Sequence, residues 1–223
     1  MISAVRSWNV EGPQWQGAVS LLALLLAWQI AAMAAASRLL PPPLEVAALI
    51  RQEMMDGPLL HHLGATLARV TLSLGIALLV GSALGYLAGR RPAADRWLKP
   101  WTMVFLNIPA LVTVILVYVW LGLTEAALVT AVAINKVPTI AVTIREGAAR
   151  LDRDLEEMAA LYRFGAARRM RYLVAPQLAP FLLVAVRNGL SLTWKIVLVA
   201  ELLGRSSGIG FQLQIFFQNF DVT

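Results

Sequence analysis

Between Arg69 and Arg90 the chain reads VTLSLGIALLVGSALGYLAG, residues 70–89, twenty positions without an acidic or basic side chain. Wound as a helix, that run rises about 30 Å, the thickness of a bilayer's hydrocarbon core. It lacks the strict alternation of a barrel strand. Lipid offers no partner for an unpaired backbone group, so a helix is the spanning element expected here. Similar uncharged runs flank it, from Glu11 to Arg38 and from Lys99 to Glu125. Outward from these, five spans are expected at about 17–36, 64–89, 101–121, 126–144 and 177–200. Composition agrees: 59% of the chain is hydrophobic and 14% charged, against roughly 25% charged in soluble domains. The expected fold is an all-α integral membrane protein. The first apolar run, Gly17 to Ala36, has the length of a span rather than of a signal peptide.

The net charge of +6 carries orientation. Arg90, Arg91, Arg96 and Lys99 follow the second span. Arg145, Arg150, Arg153, Arg163, Arg168, Arg169 and Arg171 follow the fourth. The opposite side holds only Arg38, Arg51 and Arg205. The positive-inside rule then puts the N-terminus and both basic loops in the cytoplasm. Nucleic acid is not the expected partner, because that would need the cations on an exposed soluble face interleaved with aromatics.

Several chemistries are excluded or disfavoured. With no cysteine there is no disulfide, thiol nucleophile or Cys-ligated metal. His61 and His62 are neighbours that point apart on a helix, a poor metal site. No Gly-Lys-Ser/Thr phosphate loop is present. Glu125, Asp152, Asp154, Glu156 and Glu201 fall into no familiar catalytic pattern with His or Cys. No catalytic residue and no metal ligand is therefore assigned.

Other features mark the spans themselves. Leu40-Pro41-Pro42-Pro43 is a stiff extended stretch leading into an expected amphipathic helix, Leu44 to Met55. Gly81, Gly85 and Gly89 recur every four residues and suit close packing against another span. Asn107-Ile108-Pro109 and Asn135-Lys136-Val137-Pro138 place a proline inside spans three and four, where each bends the helix and frees carbonyls beside a polar residue. Lys136, Arg187 and Lys195 lie within spans, and each costs about 2.5–3.5 kcal/mol at a helix centre unless it meets water or a partner. With Asn107 and Asn135 they are the candidate pathway residues, lining a route for an anionic solute. The alternative is structural: Lys195 pairs with Glu201 or snorkels, and Arg187 ties helices together.

The segment between spans four and five is the most specific. It runs Leu151-Asp152-Arg153-Asp154-Leu155-Glu156-Glu157-Met158-Ala159-Ala160-Leu161-Tyr162-Arg163-Phe164-Gly165. Asp154 with Glu157 reads as a capping-box start, and Leu155, Met158 with Ala159, and Tyr162 fall on one helical face. A short amphipathic helix followed by Arg168, Arg169 and Arg171 can dock in a groove of a soluble partner or lie on anionic headgroups.

The stretch from Glu157-Met158-Ala159-Ala160 to Pro176 resembles the Glu-Ala-Ala loop of ABC importer permeases. The nineteen-residue step from Glu157 to Pro176 matches that family. The chain departs at Met158, where the family has Ala, at Arg163, where it has Gly, and at Ala175, where it has Leu; Gly165 comes two positions late. Leu63-Gly64-Ala65-Thr66-Leu67-Ala68-Arg69-Val70 is similar to the start of the family's core, and Asn107-Ile108-Pro109-Ala110 to its Ile-Pro bend. Val197-Leu198-Val199-Ala200-Glu201-Leu202-Leu203-Gly204 with Ser206-Ser207-Gly208-Ile209-Gly210 resembles the branch importing nitrate, sulfonates, taurine, bicarbonate and some vitamin precursors.

The resemblance, over about residues 40–223, implies a type I ABC importer permease: a bundle of five spans, where the family usually has six, with a short cytoplasmic coupling helix. Residues 1–16 are then a cytoplasmic segment, 17–36 the first transmembrane helix and 37–62 an external segment. Residues 63–223 form the permease core, with a coupling loop at 145–176 and the final span apparently missing. Glu157, Met158, Ala159, Ala160, Tyr162, Arg163 and Gly165 are the implied coupling residues. The implied partners are two ABC ATPase subunits, a second permease copy in a homodimer, an external solute-binding protein and membrane lipid. The chain would be no enzyme and hold no cofactor, ATP and Mg residing on the ATPase. It would sit in the bacterial inner membrane. The rival readings are a secondary transporter or channel, which would show an internal repeat of broken helices, and an intramembrane enzyme, for which Lys195 with Glu201 is the available pair.

Overall fold

A computed structural model describes residues 14–35, 37 and 39–219; Arg38 and the segment 1–13 lie outside them. The chain divides into two compact units, one of residues 61–215 and one of residues 1–60 with 216–223. In the smaller unit, α1 (Gln14–Ala35) is apolar on every side and long enough to cross a membrane. It is followed by α2 (Pro43–Met55), whose first turn is preset by proline at its start.

The larger unit is built on α3 (Leu59–Arg90), α4 (Pro92–Asn107), α5 (Ala110–Leu121), α6 (Glu125–Ala149) and α9 (Ala175–Gly204). Helices α3 and α6 are long and apolar enough to span, as is the stretch Ala166–Gly204 that contains α9. Helices α4 and α5 reach that length only as a pair, bent by 97° at Ile108-Pro109. Pro109 has no N–H to continue the helix and drives Ile108 into extended backbone (φ −78°, ψ 122°). The expected Ile-Pro bend is thus a sharp break. Pro138 behaves differently: α6 continues through it as one helix.

Helix α6 is the central pillar. Ala127, Leu128, Ala131 and Val132 are fully buried along it, with Val70, Val114, Val197 and Ala200 from α3, α5 and α9. A second apolar cluster lies further along the same helices and joins Leu74, Ala77, Ile140, Ile144 and Ala185. The glycine row of α3 is what brings α3 and α6 together. A Cβ at Gly81 would fall 2.9 Å from Ile140, at Gly85 2.4 Å from the Ala141 carbonyl oxygen, and at Gly89 2.6 Å from the Ala148 Cβ. The packing role expected of these residues holds. On α9 the buried residues Ala185, Gly189, Thr193 and Val197 recur every four positions and form one seam against the bundle.

Between α6 and α9 lie α7 (Arg153–Leu161), α8 (Ala166–Arg169) and a π-helical turn, Met170–Val174, that feeds into α9. After α9 the chain turns at Arg205–Gly208 and enters α10 (Ile209–Gln218).

Candidate functional site

Three polar features interrupt the oil of the larger unit, and each has a different geometry. The first is α7. Its N-cap is Asp152, whose Oδ1 accepts from the N–H groups of Asp154 (2.8 Å) and Leu155 (3.3 Å). This corrects the capping box expected at Asp154 and Glu157: Asp152 starts the helix two residues earlier, and Glu157 is exposed. The acidic residue that fixes the helix is Glu156. Its carboxylate accepts from Arg90 Nη2 at 2.6 Å and Arg169 Nη2 at 2.7 Å, joining the end of α3, the middle of α7 and the end of α8. Burial pushes the Glu156 carboxyl up, but the hydrogen bonds from Arg169 and Arg90 outweigh it and hold the group below the usual carboxylate range.

Ala159 points inward, 2% exposed, onto Leu151, Leu173 and Val174. The expected docking face therefore loses Ala159, which is spent on the chain's own core. What remains outside keeps Leu155, Met158 and Tyr162 and adds Leu161, with Leu161 80% and Tyr162 68% exposed. Glu157, Ala160, Arg163 and Gly165 are exposed beside it. Arg163 has φ +50°, the left-handed region, and it ends the helix together with Tyr162. It stands where the Glu-Ala-Ala pattern has glycine, and the backbone explains that preference.

The second feature is an ion cluster, buried at Arg69 and Glu201 and open to the surface at Glu125, that sequence reasoning did not assemble. Arg69 on α3 donates from Nη1 to Glu201 Oε1 (2.7 Å), and from Nε and Nη2 to Glu125 (2.8 and 2.6 Å). It also donates to the Ser207 carbonyl (2.6 Å) and Oγ (2.8 Å). Glu201, fully buried, further accepts from Thr66 Oγ1 and the Gly210 N–H, both at 2.9 Å. His62 Nδ1 accepts from the Gly208 N–H at 3.0 Å. Arg205 adds a contact to Glu125 and donates to the Leu123 carbonyl at 2.5 Å. The cluster ties α3, α6 and α9 together at one end of the bundle, and α7 lies at the other. Its only advance signal was that opposite charges bound neighbouring uncharged runs, Arg69 one and Glu125 another. The proposed pairing of Lys195 with Glu201 is overturned, because Arg69 takes Glu201.

The third feature is the row of intramembrane cations, which the structure separates. Lys136 is buried on α6, 6% exposed, with no ion pair among the described residues. Asn135 beside it is half-buried. Asn107 ends α4 and donates its amide to the Met103 carbonyl one turn back (2.7 Å). Arg187 and Lys195 are both exposed on α9, with no ion pair among the described residues. A cavity of about 610 Å³ between α3, α4 and α6 contains none of these five residues. Ile76, Val80, Leu84, Trp101 and Phe105 line it, and Asp95 and Arg145 close one end as an ion pair.

The family of binding-protein-dependent transport system inner membrane components matches residues 77–223, from the middle of α3 through the loop helix and α9. The chain belongs to that family. This transport component is 28% identical over 206 residues to the taurine transport system permease protein TauC of Escherichia coli strain K12, covering 88% of the chain and 74% of TauC. It is also 28% identical over 203 residues to the nitrate import permease protein NrtB of Synechocystis sp. strain PCC 6803, covering 87% of the chain and 74% of NrtB. Its fold is shared with a solved structure described as an amino acid ABC transporter with histidines. There the TM-score is 0.58 at 22% identity, over 76% of the chain and 82% of that structure. The transport component is a multi-pass membrane protein of the ABC permease type, helical and without strands among the described residues.

Proposed function

We propose that this permease works in an ATP-driven importer of a small anionic solute, with α7 as the element that engages an ATPase subunit. The observation that carries the reading is the exposed apolar row Leu155, Met158, Leu161 and Tyr162 on a helix otherwise clamped to the bundle by Glu156 and Ala159. Such a helix transmits a push, because it is fixed on one side and apolar on the other. A groove in a soluble partner would bury that row. The basic loops support a cytoplasmic side for α7 under the positive-inside rule, where an ATPase would meet it. A second permease copy related by a two-fold axis completes the pathway, and an external binding protein supplies solute. ATP and Mg belong to the ATPase. The names of TauC and NrtB supply the substrate class, an oxyanion or sulfonate.

Affinity purification of the tagged chain from detergent, followed by mass spectrometry, tests this. An ATPase subunit should accompany the wild-type chain and disappear from a Leu161→Asp, Tyr162→Asp variant that stays folded. A folded chain that never brings an ATPase would instead favour a transporter working without one.

A further inference from the structure

The outer face of α9 carries a second periodicity, offset from the buried seam. The seam is Ala185, Gly189, Thr193 and Val197; two residues on from its first three members stand Arg187, Ser191 and Lys195, all exposed. Two residues turn a helix by about 200°, so these three side chains lie on the side opposite the packed seam. Asn188, also exposed, widens the same strip. The strip rises about 12 Å from Arg187 to Lys195. Leu183, Leu190, Val199 and Leu202 border it, so it is a narrow polar track on an otherwise apolar exposed surface.

Lipid is a poor neighbour for such a track, since two cations and two neutral polar groups would face hydrocarbon at depth. A protein neighbour of the same sequence is no better. The acidic residues within α3 to α6 and α9 are Asp95, Glu125, Glu146 and Glu201. Asp95 is held by Arg145, and Glu125 and Glu201 by Arg69. Glu146 stands in the last turn of α6. A second copy therefore has no free carboxylate to offer at the level of Arg187 and Lys195. The neighbour that suits the track is water carrying a mobile anion, with Ser191 and Asn188 supplying neutral hydrogen bonds between the two charges.

Resting on the permease reading above, we infer that Arg187, Asn188, Ser191 and Lys195 form an anion track on the pathway wall, selecting a small oxyanion or sulfonate by charge during translocation. Arg187 binds two oxygens at once through its fork, Lys195 attracts as a point charge, and passage between them needs no full dehydration. Lys136, buried on α6, takes no part in this track.

The chain has no cysteine, so Ser191→Cys creates the single thiol of this chain, and labelling is read on the chain after purification by its tag. The experiment labels that variant, in the full transporter in native membranes, with the anionic reagent 2-sulfonatoethyl methanethiosulfonate and its trimethylammonium counterpart. Rates are expressed relative to each reagent's rate with a free thiol. The anionic reagent should win by about tenfold or more at low salt, given two cations about 6 Å away along the helix. Neutralising both flanks with Arg187→Gln and Lys195→Gln should remove that preference, and Arg187→Lys with Lys195→Arg should restore it. Equal rates, a preference untouched by neutralisation, or no reaction with either reagent would overturn the track. ATPase co-purification is read on the same preparation. Its loss with charge-selective labelling intact would count against the coupling assignment, whereas its presence without selective labelling would count against the track alone.

Discussion

Arg69 Nη1 lies 2.7 Å from Glu201 Oε1, and these residues, 132 apart in sequence, are both buried. Helix α9 meets α3 here through an ion pair set beside the apolar packing of Val70 against Val197 and Ala200. The remaining lone pairs of Glu201 are satisfied by Thr66 and the Gly210 N–H, so the charge is paired and hydrogen-bonded as a buried charge must be.

Removing Arg69 alone should therefore cost more than removing both. Arg69→Met strands the buried Glu201 charge and should destabilise the detergent-solubilised protein by about 3–5 kcal/mol. Glu201→Met leaves Arg69 paired with Glu125 and should cost less, and the double variant recovers much of the Arg69→Met loss. Thermal unfolding followed by tryptophan fluorescence reads this directly. Additive losses in the double variant would mean that the two residues act independently.

Gly208 closes the same cluster with φ +111°, a conformation that disfavours any Cβ, and an added Cβ would fall 2.3 Å from the Glu201 carboxyl carbon. Gly208→Ala should lower the melting temperature markedly. Gly165→Ala should not, since no atom lies within 4 Å of its would-be Cβ and its backbone is not left-handed (φ −63°).

Arg163 adopts a left-handed backbone at the end of α7. Arg163→Gly relieves that strain, and after glycine's extra unfolded-state entropy it should stabilise the loop by up to about 1 kcal/mol. Hydrogen exchange over residues 153–165 should slow in the variant; faster exchange would show that the Arg163 side chain contributes more than its backbone costs.

Glu156 makes α7 sensitive to acid. Its folded pKa lies below its ordinary value, so its contribution is complete above about pH 4.3, the unfolded carboxyl value. That contribution fades as the pH falls through the lower folded value. Protection of the α7 amides, corrected for intrinsic exchange, should decline across that range in the wild type. Glu156→Gln should start lower and decline less, because it has no proton to gain.

The loop helix was legible in the sequence as a short amphipathic element, and of its expected face only Ala159 turns inward. Leu155, Met158, Ala159 and Tyr162 share one face by spacing alone, but Leu173 and Val174 claim Ala159. Periodicity finds a face without saying what covers it. Glu157 and Glu156 are adjacent acids, and only the positions of Arg90 and Arg169 make Glu156 the anchor.

Determined by sequence alone were the membrane class, the five apolar segments, the break at Pro109 and the close approach at the α3 glycines. Each follows from a local property: length against bilayer thickness, a missing N–H, or an absent side chain. Tertiary structure alone decided the partners of the charges. Arg69, Glu125 and Glu201 come from three spans and meet because α3, α6 and α9 pack together, while Arg187 and Lys195, on the far side of α9, meet no charged partner among the described residues. A charge in a span announces a cost, and only the arrangement of helices around it shows what offsets that cost.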